Sequence, residues 1–397
     1  MEIIRESSVG RKESGDTHIS VSPSKNLSLE IRSSVERLYG DKLKREIENE
    51  LERLGVDNGA FLVEDDGALK YITEARLEAA IVAATDDKIP YRKAETNHAF
   101  DIERLRRSRL YIPGNNPRLF QNAWLYGADM LLLDLEDSVT PSQKFSTRYL
   151  VRNTLLSLKF GQSETAVRIN PVSSPFGLDD LKVIVPAGPE IIVLPKAESA
   201  QDIHDLKLEI SRIQQDAGTD HKIGIVPIIE SAMGIIRAEE IASVEGVIML
   251  AFGAEDYTRD IGAERTRNGK EHFVARCNLV TAAKAHAKLV SDTVFSDFAD
   301  KEGLINSTRE ARELGFDGKG LIHPSQIEPV HKVFTPDQSE LLFAVKAIAA
   351  AEEAERNGSG VIAIGRKMID QPIVERARRQ LKLAEKMGIE IPEIDKE

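Results

Sequence analysis

Eight short apolar runs, rich in Val, Ile and Leu, recur between residues 108 and 334, with helical stretches between most of them. They occupy 110–112, 130–135, 166–169, 191–194, 223–229, 247–252, 289–295 and 320–322. Few of them alternate apolar with polar residues, which suits parallel strands buried on both faces. Eight strand–helix units predict an α/β fold, a (β/α)8 barrel of the TIM type, over 108–334. A doubly wound open sheet is the rival architecture. After Phe334, apolar positions from Leu341 to Ala354 and from Ile373 to Met387 predict a C-terminal helical extension over 335–397.

Residues 1–87 have a different rhythm. Val35, Leu38, Leu43, Ile47, Leu51 and Leu54 recur at helical spacing and predict one apolar helix face. Residues 18–22, 27–31 and 60–63 resemble short strands, 65–67 a turn, and 73–84 a second helix, which together make a small α+β unit. Residues 88–107 contain Pro90 and many charges with little apolar periodicity, and read as a linker ending in a helical turn. Arg104, Arg106 and Arg107 read as the solvated face of that turn rather than a phosphate site; Arg109, at the barrel entry, fits that reading less well.

Net charge is −12, which disfavours nonspecific binding to nucleic acid or to a membrane surface. Cys277 is the one cysteine, so an intrachain disulfide is excluded and a cysteine-based zinc site disfavoured. The N-terminal stretch lacks an apolar h-region, and no run of 18 uncharged apolar residues occurs. The expectation is a soluble cytoplasmic protein.

Barrel active sites lie at the carboxyl ends of the strands. Five runs here end at or beside charged residues: Glu136 and Asp137, Arg168, Lys196, Glu230, and Asp256. Carboxylates converging without His or Cys favour a hard cation such as Mg²⁺, with Glu230 and Asp256 as the best pair of ligands because adjacent strands carry them. Arg168 offers a planar fork for a substrate carboxylate, and its structural alternative is an ion pair with Glu136 or Asp137. Lys196 has the same alternative. His323, in the LIHP segment, reads as a capping or loop histidine. These residues point to a metal-assisted enzyme acting on a polycarboxylate or carbonyl acid, and leave the reaction open.

Longer segments carry a resemblance. RSRLYIPGNNP (107–117), LLLDLEDSV (131–139), VRIN (167–170), VLPKAES (193–199), IIESAMGI (228–235), AFGAEDY (251–257), LGFDGKGLIHPSQI (314–327) and KMIDQP (367–372) resemble, in order, the citrate lyase beta chain of the aldolase/citrate lyase superfamily. ESGD (13–16), SSVERLYGD (33–41) and DDGALKYITEARLEAAI (65–81) resemble the citrate lyase gamma chain, an acyl carrier. The resemblance implies a citryl-thioester lyase, yielding oxaloacetate and an acetyl thioester, with its carrier in the same chain. It implies Mg²⁺ on Glu230 and Asp256, and a phosphoribosyl-dephospho-coenzyme A group on Ser14. Substrate contacts fall to Arg168 and Glu230, and supporting roles to Glu136, Asp137 and Lys196. Asp370 becomes a candidate acid, acting within its own chain or from a neighbouring subunit, with a helix N-cap as its alternative. The implied partners are an alpha acyl-transferase subunit, a prosthetic-group-transferring enzyme and further copies of the chain. A carrier tethered in this way would visit its site at high effective concentration without tight docking. In the family the two chains are usually separate, so the fusion puts the assembly's stoichiometry in doubt. The alternatives are a citramalyl- or malyl-thioester lyase, or a non-catalytic carrier and assembly subunit.

Overall fold

The structure, a computed structural model, describes residues 1–356, 362–364 and 367–393. Two compact units divide it, residues 1–330 and 331–397.

The N-terminal layer is a four-stranded sheet of β1 (Ser7–Gly10), β2 (Thr17–Ser22), β3 (Ser28–Ser33) and β4 (Ala60–Asp65), in the order β1-β2-β4-β3. β2 is antiparallel to β1 and β4, while β3 runs parallel to β4. Helix α1 (Glu36–Arg53) and helix α2 (Lys70–Ala84) complete the layer. Ile19, Val21, Phe61 and Val63 alternate onto the buried face of the sheet, as period-2 geometry requires. Strand β1 has the sequence SSVG and carries no apolar signal, so it went unread in the sequence. Leu38 is 77% exposed although it shares a spacing pattern with Leu43, Ile47 and Leu51, which are buried. Five residues separate it from Leu43, which rotates it about 140° off that face.

The central layer is a closed barrel of eight parallel strands. They are β5 (Ser108–Pro113), β6 (Met130–Asp134), β7 (Glu164–Arg168), β8 (Ile191–Leu194), β9 (Gly224–Ile229), β10 (Met249–Phe252), β11 (Leu289–Asp292) and β12 (Gly318–Leu321). All eight apolar runs are therefore strands. Around them lie α3 (Pro141–Ser157), α4 (Gly177–Ile184), α5 (Ala200–Ala217), α6 (Ala232–Ile236), α7 (Ala238–Ser243), α8 (Ala254–Asp260), α9 (Phe273–Ala285), α10 (Lys301–Leu314) and α11 (Ile327–Phe334). The interior is packed with Met130, Leu132, Ala166, Ile191, Val193, Val226, Ile228, Met249 and Ala251.

Residues 88–107 differ from the solvated turn the sequence suggests. Ala99 bridges Lys222, and Phe100 packs against the interior apolar cluster of the barrel. Arg104 pairs with Glu190, Arg107 with Asp129, and Arg106 with Glu164 at 2.7 Å, with both partners of this last pair sealed from solvent. A basic run with no apolar period thus supplies buried counter-charges, a pairing that only distant residues could complete.

The N-terminal layer is firmly docked on the barrel, which corrects the expectation of a loosely visiting tether. Helix α2 is buried on nearly every side, because one face covers its own sheet and the other packs on α3. There Arg152 grips Glu78 with two hydrogen bonds of 2.7 and 2.8 Å, and Arg53 reaches the same carboxylate at 2.8 Å. Asn153 donates to the Tyr71 carbonyl at 3.1 Å.

The C-terminal unit contains α12 (Gln338–Arg356), a hairpin of β13 (Ile362–Ile364) and β14 (Lys367–Ile369), and α13 (Gln371–Lys386). Ala344, Ala347, Ile369, Val374 and Ala377 form its core. The hairpin interrupts what the sequence suggests is a purely helical tail. Among the described residues no helix is long and apolar enough to cross a membrane.

Candidate active site

At the carboxyl ends of the strands a cavity of ≈ 410 Å³ opens, lined among others by Tyr111, Asp137, Arg168, Glu230 and Asp256. Strand pairing explains the convergence. Asp134 sits opposite Arg168 on adjacent strands, and side chains two apart share a face, so the inward rows of β6, β7 and β9 end in Asp134, Arg168 and Glu230.

Arg168 is the hub. Its Nε and Nη2 donate to Asp134 at 2.6 and 2.7 Å, and its Nη1 lies 2.8 Å from Glu136 and 3.3 Å from Asp137. Its guanidinium carbon stands 5.1 Å from the Tyr111 ring centroid. The fork that the sequence reading leaves open for a substrate carboxylate is thus filled by Asp134. Burial disfavours the Asp134 carboxylate, but the charge and hydrogen bonds of Arg168 outweigh it and hold this carboxyl below the usual range. Ser138 donates a further 2.6 Å bond to Asp134. Asp134 was missed because it lies inside the apolar run LLLDL, where only its alternation with Leu132 marks it as inward-facing.

Lys196 links two carboxylates. Its ammonium meets Glu136 at 3.0 Å, and its backbone N–H donates to Glu230 at 2.8 Å. It does so from φ 55, in the left-handed region that a lysine rarely adopts. Both the ion pair of Arg168 with Glu136 and Asp137 and that of Lys196 with Glu136 are therefore present. Glu136 sits behind these cations and does not line the cavity, whereas Asp137 does.

Burial pushes the Glu230 carboxyl up to about 8, with the negative fields of Glu136 and Asp256 adding to the effect. Burial raises the Glu136 carboxyl as well, reinforced by Asp137 and opposed by Arg168 and Lys196. Gly253 makes room for Glu230, since a Cβ there would lie 2.5 Å from Glu230 Oε2 and 2.6 Å from its Cβ. Asp256, in the first turn of α8, contacts Arg259 at 2.6 Å.

The donor set suits a hard divalent cation. Glu230 and Asp256 offer only oxygen, and the raised Glu230 carboxyl marks a place short of positive charge. Among the described residues no group of three or more His, Cys, Asp or Glu side chains is arranged to hold a metal. Mg²⁺ does not need one, because it takes one or two carboxylates and completes its shell with water and substrate oxygens.

The other sequence candidates lie elsewhere. His323 caps the turn after β12, where its ring accepts from the Ser325 N–H, and it stacks on Phe298. Asp370 belongs to the C-terminal unit and caps α13, with its side chain accepting from the Ile373 N–H at 3.3 Å. Ser14 is exposed in the turn between β1 and β2. That turn rests on the barrel rim. Gly15 adjoins Arg118, where a Cβ would lie 3.3 Å from its Cγ, and Arg11 donates to Gln143 at 2.9 Å, which also accepts from Asn115. Asn115 follows β5 and Gln143 opens α3 after β6, so both stand on the same rim as the cavity.

Residues 107–324 match the model of the HpcH/HpaI aldolase/citrate lyase family, which covers more than half of the chain. The chain belongs to this family. As a member of the aldolase/citrate lyase family, it is a carbon–carbon lyase. Residues 4–84 match a second model, that of the malonate decarboxylase delta subunit, an acyl carrier. The citrate lyase subunit beta of Leuconostoc mesenteroides subsp. cremoris is 43% identical over 71% of this chain and 94% of its own. The mitochondrial citramalyl-CoA lyase of Rattus norvegicus is 32% identical over 78% and 93%. CitE from Mycobacterium tuberculosis, solved in complex with magnesium, acetoacetate and coenzyme A, superposes with a TM-score of 0.60 at 31% identity over 72% of this chain and 100% of that one.

Proposed function

We propose that the chain cleaves a citryl thioester to oxaloacetate and an acetyl thioester, with the acyl group carried by its own N-terminal domain. One observation carries this reading. The turn bearing Ser14 rests on the rim of a cavity that holds Arg168, Glu230 and Asp256. Similarity to a citrate lyase beta subunit above that to a citramalyl-CoA lyase points the same way.

Ser14 is the attachment point in this reading, and the arm is a phosphoribosyl-dephospho-coenzyme A group. An exposed turn serine is open to a transferring enzyme, and the docked carrier aims a long arm at the cavity of its own chain. An alpha acyl-transferase subunit would exchange acetyl for citryl, further copies of this chain would assemble with it, and the complex would be cytoplasmic.

Glu230 and Asp256 would hold Mg²⁺, the cation with which the similar CitE was solved. When bound, the cation supplies Lewis-acid charge to the substrate hydroxyl and its neighbouring carboxylate. The Lys196 N–H and the gap at Gly253 fix the Glu230 carboxylate before substrate arrives. Arg168, locked by Asp134, presents a fixed positive charge to the oxygens of the breaking carbinol, a preorganised arrangement needing no movement during reaction. Glu136, Asp137 and Lys196 keep that charge in place. Asp370 of a neighbouring copy would return a proton to the thioester enolate.

Full-length protein with Mg²⁺ and soluble citryl-coenzyme A should release oxaloacetate. Release of pyruvate from citramalyl-coenzyme A, with no oxaloacetate from the citryl ester, would replace this reading with a citramalyl lyase.

A further inference from the structure

A citryl thioester differs from a citramalyl thioester by a carboxymethyl group in place of a methyl. A site that prefers the former needs a second cation for the second carboxylate. Arg168 is not free for that role, since Asp134, Glu136 and Asp137 already surround it. Lys196 is paired with Glu136.

Arg109 is different. It lies on β5 two residues before Tyr111, so both project into the barrel interior. It is 2% exposed and lines the cavity. The other buried arginines, Arg76, Arg106, Arg148, Arg152, Arg168 and Arg276, each face a carboxylate. Among the described residues Arg109 has no such partner, and its Nε and Nη1 make no hydrogen bond. It is thus a buried guanidinium with no carboxylate in ion-pair contact among the described residues. The barrel is shaped around it. Gly320 is its register partner on β12, and a Cβ there would stand 3.4 Å from Arg109 Nη2 and 2.9 Å from Val294. Tyr111 lies 5.4 Å from the Arg109 guanidinium carbon and 5.1 Å from that of Arg168, so one ring steers both planes.

We propose that Arg109 is the subsite for the terminal carboxylate that distinguishes a tricarboxylic from a dicarboxylic acyl group. This rests on the thioester-lyase reading. The cation and Arg168 address the carbinol carbon and its own carboxylate, and Arg109 addresses the additional carboxymethyl arm deeper in the barrel. The same arm survives in the product, because oxaloacetate carries it and pyruvate does not.

The test compares Arg109→Met, Arg109→Lys and the parent chain, all full-length with Mg²⁺. With Arg109→Met, kcat/KM for citryl-coenzyme A should fall roughly 10²–10³-fold, the scale for losing one partner of a buried charge pair. Any turnover of citramalyl-coenzyme A should change by less than about threefold, and Arg109→Lys should recover part of the loss. Binding of oxaloacetate and of pyruvate, followed by calorimetry, supplies a readout without turnover: Arg109→Met should weaken the first and spare the second. The variant should melt no lower than the parent, because the cation it loses has no partner. Equal losses for both ligands, or an unchanged oxaloacetate affinity, would overturn the subsite. If the parent chain fails to cleave the citryl ester, the lyase reading falls, while the two binding affinities still decide the role of Arg109.

Discussion

Glu230 accepts its hydrogen bond from the backbone of Lys196, at 2.8 Å, and that backbone is in the left-handed region. The carboxylate that most needs a cation is thus held by main chain, and the strain is stored one strand away from it. This links the conformation of the β8–α5 loop to the readiness of the proposed metal site.

If Glu230 and Asp256 hold the divalent cation, Glu230→Gln and Asp256→Asn should each abolish thioester cleavage while leaving the fold intact. Chelator should do the same to the parent chain, and added Mg²⁺ should restore it. Full turnover in excess chelator would remove the cation from the mechanism.

Gly253→Ala tests the crowding at that carboxylate directly. The new methyl meets both the Oε2 and the Cβ of Glu230, so the side chain must swing away. Activity should fall at least about tenfold, with a stability loss of about 1–3 kcal/mol as expected for overpacking. Normal kinetics in this variant would show that the position of Glu230 is not critical.

Arg168→Lys keeps the charge and loses the fork to Asp134. Transition-state stabilisation, read from kcat/KM, should drop by roughly 2–4 kcal/mol. Asp134→Asn should cost about 3 kcal/mol of stability in urea titrations, because it leaves the buried guanidinium short of counter-charge. A variant as stable as the parent would mean that Glu136 and Asp137 suffice.

Arg152→Met removes the main anchor between carrier and barrel and leaves Glu78 buried with Arg53 alone. The expected cost is about 3 kcal/mol, together with faster amide exchange across α2. Cleavage of soluble citryl-coenzyme A should persist. Unchanged exchange would show that apolar contacts alone hold the carrier.

Ser14→Ala should prevent attachment of the prosthetic group, visible by intact mass, with stability changed by less than about 0.5 kcal/mol. The assembled complex should then lose activity on free citrate and retain it on the soluble thioester. A mutant that still processes free citrate would move the attachment point elsewhere.

Much of this was legible in the residues. Period and composition marked all eight barrel strands, because a parallel strand covered on both faces must be apolar along its whole length. The last positions of those strands and the ones just after them marked Glu136, Asp137, Arg168, Lys196 and Glu230, since the carboxyl ends of a barrel's strands all open on one rim. The helix pattern of the carrier was clear as well, apart from the outward turn of Leu38. What linear order could not supply was pairing across distance. Arg106 with Glu164, Arg168 with Asp134, and Arg152 with Glu78 join residues 58, 34 and 74 positions apart, and nothing local distinguishes a buried guanidinium from a solvated one. The same ambiguity made a basic run look like solvent-facing linker and hid Arg109 inside the barrel. The sequence by itself therefore determined the barrel, the rim and the chemical types gathered there, because hydrophobic period and strand polarity are local properties. Only the tertiary structure decided which charges neutralise one another, that the carrier is docked rather than free, and that, among the described residues, one buried arginine is left without a carboxylate, because desolvation and ion pairing depend on what lies across space.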